Sequence, residues 1–84
     1  MGTTAREEQV QIQGYVLSTD FDRHGKILDI TLETEDFQQY GIVHNTKGKE
    51  LFNYILKQVI VKGILETKED AHPIISIQEY EIVS

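Results

Sequence analysis

Two segments of the chain share one pattern: Val10-x-Ile12-x-Gly14-x-Val16 and Val59-x-Val61-x-Gly63-x-Leu65. Apolar residues recur at every second position, the mark of a strand with one face buried. A helix would place them three and four apart. In both segments a glycine takes the apolar phase at the same point. An interior strand glycine marks a bulge, a tight bend or a close approach of another backbone. Two strands bending at equivalent points predict a small, strongly curved sheet in which strands turn corners. The stretches between the two segments differ, so the pattern is one bending problem solved twice and not a repeat unit.

The rest of the chain agrees with a β-rich reading. Eleven Ile, six Val and seven Thr supply β-branched side chains that suit a pleated surface. With 84 residues there is room for one domain and not for a catalytic domain beside a substrate domain. Hydrophobic residues at 39% are enough for a packed core. The absence of cysteine excludes disulfides, thiolate metal sites and cysteine nucleophiles, and fits a reducing compartment. A net charge of -6 disfavours a protein that coats nucleic acid electrostatically.

The chain divides by its punctuation. Residues 1–9 are polar and read as a flexible lead-in, and residues 10–84 as a single domain. Met1-Gly2 opens like a myristoylation signal, but Arg6 stands where Ser or Thr is needed. No stretch approaches the roughly 20 apolar residues of a membrane span, and the lead-in has no apolar signal core. A soluble, cytoplasmic protein with no membrane partner is expected.

The first strand is expected over about Val10 to Ser18, followed by a turn through Asp20 to Lys26. Gly25 there is free to take a positive φ. The second strand, about Ile27 to Thr34, puts Leu28, Ile30 and Leu32 on one face. A third covers about Gln38 to His44 with an ambiguous phase, since Tyr40 and Ile42 compete with Gly41 and Val43. Asn45 or Thr46 then caps a helix over about Lys49 to Lys57, with Leu51, Phe52, Ile55 and Leu56 as its apolar stripe. The fourth strand runs over about Val59 to Glu66 and the fifth over about Ile74 to Val83. A bulge near Gln78-Glu79 would bring Ile75, Ile77, Tyr80 and Ile82 to one side. The expected core is Val10, Ile12, Val16, Leu28, Ile30, Leu32, Leu51, Phe52, Ile55, Val59, Val61, Leu65, Ile75 and Ile77.

An all-β chain with one helix, in the order β-β-β-α-β-β, resembles the OB-fold, a five-stranded Greek-key barrel. The likeness runs over about Val10 to Val83. It rests on the glycine-centred first strand, the narrow-striped helix, Val-x-Val-x-Gly in the fourth strand and Ile-x-Ile-x-x-Tyr-x-Ile in the fifth. Small stand-alone bacterial-type OB-fold domains are the nearest likeness within it. The aromatic second-strand motif of cold-shock domains is absent. The resemblance implies a ligand face on strands 2 and 3 with the loops after strands 1 and 4. On that face and its flanks it singles out Lys26, Asp29, Thr31, Tyr40, His44, Lys62 and Lys68.

Several motifs carry chemistry only in outline. Asp20-x-Asp22-x-His24-Gly25 begins like a calcium loop, but a calcium loop closes with Glu at position 12, where Thr31 stands. Asp and Gly are ordinary turn residues, which is the plainer reading. Asp20, Asp22 and His24 would meet Asp70 and His72 in an OB barrel, a donor set suited to a transition metal; solvated loops are the plainer expectation, and no metal or cofactor is expected. Thr46, Lys47, Gly48 and Lys49 have the flavour of a phosphate loop without its first Gly or its Gly-Lys-Ser/Thr ending. Their amides offer an anion site at the helix start, against the plainer reading of solubilising lysines. Tyr15, Phe21, Phe37, Tyr40 and Tyr54 are the aromatics available for stacking on bases, yet Asp29, Thr31 and Glu33 face outward from strand 2, where carboxylates repel phosphate. No nucleophile–base pair stands at a credible spacing, so no enzyme is expected. The expectation is a non-catalytic binding module whose partner is another protein or a second copy. Weak single-stranded nucleic-acid binding, helped by Lys26, Lys62 and Lys68, is the alternative.

Overall fold

The computed structural model describes residues 6–84. The elements are β1 (Arg6–Phe21), β2 (Ile27–Glu33), β3 (Gln39–Ile42), α1 (Thr46–Glu50) continued by a 3-10 turn over Leu51–Tyr54, β4 (Gln58–Thr67) and β5 (Ile74–Ile82). The strands form one closed ring in the order β1-β2-β3-β5-β4, with β4 returning to β1. All neighbours are antiparallel except β3 and β5, which run parallel through Gly41↔Ile74 and Ile42↔Ile75. Among the described residues no helix is long and apolar enough to cross a membrane.

The long β1 makes the closure. Its first part pairs with β4 from Arg6↔Thr67 to Tyr15↔Gln58, and its second with β2 from Tyr15↔Glu33 to Phe21↔Ile27. Residues 6–9 therefore belong to a strand, which corrects the lead-in boundary. Residues 1–5, with Met1-Gly2, lie outside the described residues. Gly14 sits at the handover between the two partners. A Cβ there would stand 2.5 Å from the Glu33 carbonyl oxygen and 3.2 Å from Leu32 Cγ. Gly63 plays the matching part on β4, where an added Cβ would land on the Ser76 carbonyl oxygen. Both glycines admit a neighbouring backbone, the close approach their position in the pattern implied. At Gly63 the β4–β5 register also slips, from Lys62↔Glu79 to Gly63↔Ile77. Gln78 is the residue passed over, so the bulge falls where the phase change of the fifth strand placed it.

The core is Val16, Ile30, Leu32, Ile42, Leu51, Val59, Val61, Ile75 and Ile77. Val10, Ile12, Phe52, Ile55 and Leu65 pack against it half-buried. Leu28 does not belong, being 45% exposed. The β1–β2 register slips twice at this end, from Ser18↔Ile30 to Asp20↔Asp29 to Phe21↔Ile27. Leu28 is passed over at the second slip, the strand phase inverts, and Ile27 packs against the core in its place. The third-strand ambiguity is settled for Tyr40 and Ile42, because Tyr40 pairs with the buried Leu32.

The helix is shorter and earlier than its apolar stripe predicts. Asn45 is the N-cap, its Oδ1 accepting from the Gly48 amide at 2.8 Å. Its Nδ2 donates to the Ile77 carbonyl at 3.1 Å, tying the cap to β5. The expected extension to Lys57 fails because Leu56 takes φ 66. The Leu56 amide donates to Val16 O at 2.7 Å and the Val16 amide to Lys57 O at 3.1 Å. Residues 56 and 57 thus bond to β1 instead of continuing a helical turn. Leu51 is fully buried and brings the 3-10 turn into the core.

Candidate functional site

The outward side of β2 and β3 is laid out by register. Leu17, Thr31 and Gly41 form one cross-strand row, and Tyr15, Glu33 and Gln39 the next. On this face lies a shallow hollow of about 240 Å3 lined by Thr19, Thr31, Gln39, Gly41 and His72. Gly41 leaves its floor low: a Cβ there would meet Ile74 Cγ2 at 3.1 Å. Two hydroxyls, an amide and an imidazole surround the hollow, a set that donates and accepts hydrogen bonds without a fixed charge.

Carboxylates stand on either side. Asp29 Oδ1 accepts from the Ile30 amide at 2.9 Å and from His44 Nε2 at 3.0 Å. His44 in turn meets Phe52 edge-on at 5.3 Å between centroids. Glu33 Oε1 accepts from Gln39 Nε2 at 3.0 Å. Asp29, Thr31 and His44 thus come together on this face. Neither acidic pair has a hydroxyl nucleophile hydrogen-bonded to it among the described residues.

The other expected residues are placed elsewhere. Tyr40 packs against the core and is half-buried there. Lys62 lies on β4, which pairs with β1 and β5, and its Nζ is 3.5 Å from Glu79 Oε1. Lys68 follows β4 in the loop to β5, with Nζ 3.4 Å from Glu66 Oε1. Lys26 belongs to the β1–β2 turn, its amide donating to Asp22 Oδ1 at 2.9 Å. Lys62 and Lys68 are thus each engaged by a carboxylate. Of the aromatics, Tyr15, Phe21 and Phe37 are exposed, whereas Tyr54 packs against the core.

At the helix start two of the four amides have acceptors within the chain. The Gly48 amide is taken by Asn45 Oδ1 and the Lys49 amide by the Asn45 carbonyl. Gly48 is buried, and Lys47 Nζ turns to Glu50 Oε1 at 3.9 Å. Thr46 opens the helix but is not its cap. The same end holds a cluster absent from the sequence reading. Tyr80 donates to Glu50 Oε1 at 2.7 Å, Lys47 Nζ lies 5.9 Å from the Tyr80 ring centroid, and Tyr54 packs at 6.1 Å. The hydrogen bond to Glu50, then burial, hold the Tyr80 hydroxyl pKa up at about 12. The cluster fastens α1 to β5 and does not open onto the hollow.

The Asp20–Asp22–His24 turn is held by its own backbone. Asp22 Oδ1 accepts from the His24 and Lys26 amides, and Asp20 Oδ1 from the Phe21 amide. Among the described residues no three His, Asp or Glu side chains gather closely enough to hold a metal ion.

Thr19, Gln39, Gly41 and His72 are the site residues that pattern reading passed over as ligand contacts. Period-two phase from Thr31 across to Gly41 reaches two of them once the register is known; Thr19 and His72 arrive through a bulge and a loop, which carry no period. No protein-family model, no curated protein and no solved structure matches the chain.

Proposed function

We propose that the chain is a non-catalytic binding module with the OB-fold, whose partner is protein and not single-stranded nucleic acid. The fold assignment is supported by the ring order β1-β2-β3-β5-β4 and by α1 standing between β3 and β4. One observation carries the choice of partner: Asp29 and Glu33 stand two residues to either side of Thr31 on the β2–β3 face, while Lys62 and Lys68 are each ion-paired to a glutamate. Phosphate contacts need cations at the contact surface. Base stacking contributes about 1–3 kcal/mol per base, and Tyr15 is the exposed aromatic in the rows that border the hollow. Beside two carboxylates that is too little for a useful complex.

The test is a fluorescence-anisotropy titration with a mixed single-stranded oligonucleotide, first at low and then at physiological salt. No sub-micromolar binding is expected at physiological salt. Tight binding there, lost on substituting Tyr15 or Lys26, would promote the nucleic-acid reading. Affinity capture from the native cell, with recovered nucleic acid sequenced alongside recovered protein, identifies the partner.

A further inference from the structure

The closed ring leaves several stretches of strand with a single neighbour, and the longest is the start of β1. From Arg6 to Gly14, β1 pairs with β4 alone, since β2 joins it only at Tyr15↔Glu33. Among the described residues no other backbone hydrogen bond reaches residues 6–13. Proteins blunt such edges with lysine, proline, a bulge or a covering loop. The Gln9–Gln13 stretch has none of these: it reads Gln-Val-Gln-Ile-Gln, and its register with β4 runs unbroken. The contrast is β5, whose second half carries the Gln78 bulge, Glu79 and Glu81, with Tyr80 bonded to α1 through Glu50.

The stretch is also symmetric about Gln11. Laid antiparallel against a second copy with Gln11 on the two-fold axis, Gln9 opposes Gln13 and Val10 opposes Ile12. Amides then meet amides on the outer side, where Gln9, Gln11 and Gln13 are exposed. Aliphatics meet on the inner side, where Val10 and Ile12 are only half-buried. Cross-strand pairs of like chemistry are what stabilise a sheet. Shifting the axis to Val10 would set Glu8 against Ile12, and shifting it to Glu8 would set that carboxylate against itself. The turn bearing Thr34, Glu35 and Asp36 stands beside Gln13 and ends the open edge.

We infer that Gln9–Gln13 of β1 pairs with the same residues of a second copy, joining two closed sheets edge to edge in a two-fold dimer. This rests on the binding-module reading and names its partner for that edge. A short edge-to-edge contact is at the small end of specific interfaces, so the association is micromolar or weaker.

Sedimentation of the full chain from about 10 μM to 1 mM reads the dissociation constant directly. Gln11→Lys and Gln11→Glu, both at an exposed position, should each raise it at least tenfold with unchanged circular dichroism, and an equal mixture should restore association. Cα atoms paired across an antiparallel ladder lie about 4.5–5.5 Å apart, within disulfide range. In this cysteine-free chain, Gln11→Cys should therefore oxidise to a covalent dimer and Gln13→Cys alone should not. A monomer throughout the concentration range overturns the inference, as does a dimer that Gln11→Lys leaves intact. Either result leaves the binding-module reading standing, since that falls only with the oligonucleotide titration.

Discussion

Tyr80 illustrates how much one side chain can fasten. Its hydroxyl donates to Glu50 at 2.7 Å, and this bond to a carboxylate favours the neutral phenol. The pKa rises from 10.0 to about 12. A raised value in the fold means that the contribution to stability is complete below pH 10 and is lost as pH climbs from there to about 12. A tyrosinate absorbance titration should show a late step that Tyr80→Phe removes and Glu50→Gln moves back toward 10. Loss of folded structure in the Tyr80→Phe variant should no longer track that interval. Nothing in the spacing of Glu50 and Tyr80 announces the pair, because the bond spans 30 residues and depends on where α1 docks.

At the scale of the element, β1 shows why glycine outperforms a better strand former. Valine has the higher strand propensity, yet a Cβ at Gly14 would stand 2.5 Å from a backbone oxygen that cannot rotate away. Gly14→Val should therefore destabilise by at least about 1–3 kcal/mol, the usual cost of overpacking. Urea unfolding of the variant checks this, and a gain in stability would show that β1 does not need a glycine there. The close approach was legible from sequence because a glycine on the apolar phase violates the alternation around it. The end of α1 was not legible. Leu56 continues the apolar stripe, and its left-handed φ of 66 is set by the hydrogen bonds of residues 56 and 57 to Val16.

For the whole molecule, stability resides in a core of nine residues drawn from every strand and the 3-10 turn. Ile30→Ala should cost about 2–5 kcal/mol, since a fully buried side chain leaves a cavity. Leu28→Ala, two residues along the same strand, should cost less than about 1 kcal/mol because nearly half of the residue already meets water and it lies outside the core. Comparing their denaturation midpoints tests the inverted phase at the end of β2. Equal losses would mean that Leu28 belongs to the core after all.

Strand identity, the two glycines at close backbone approaches and the bulge in β5 were carried by the sequence itself. Each is a local matter, expressed as period two or as a break in it, and burial of one face enforces that period wherever a strand forms. Membership at the rims was decided only by tertiary structure. Slips in pairing exchanged Leu28 for Ile27, and a four-residue β3 was too short to declare its phase until Leu32 lay opposite Tyr40. The candidate face belongs to the same class. Thr19, Thr31, Gln39, Gly41 and His72 come from three strands and a loop. Their meeting depends on ring closure, an interaction between distant segments that no local pattern records. Lysines that look available in one dimension are paired in three, because the ladder sets Lys62 against Glu79 while Lys68 folds back on Glu66.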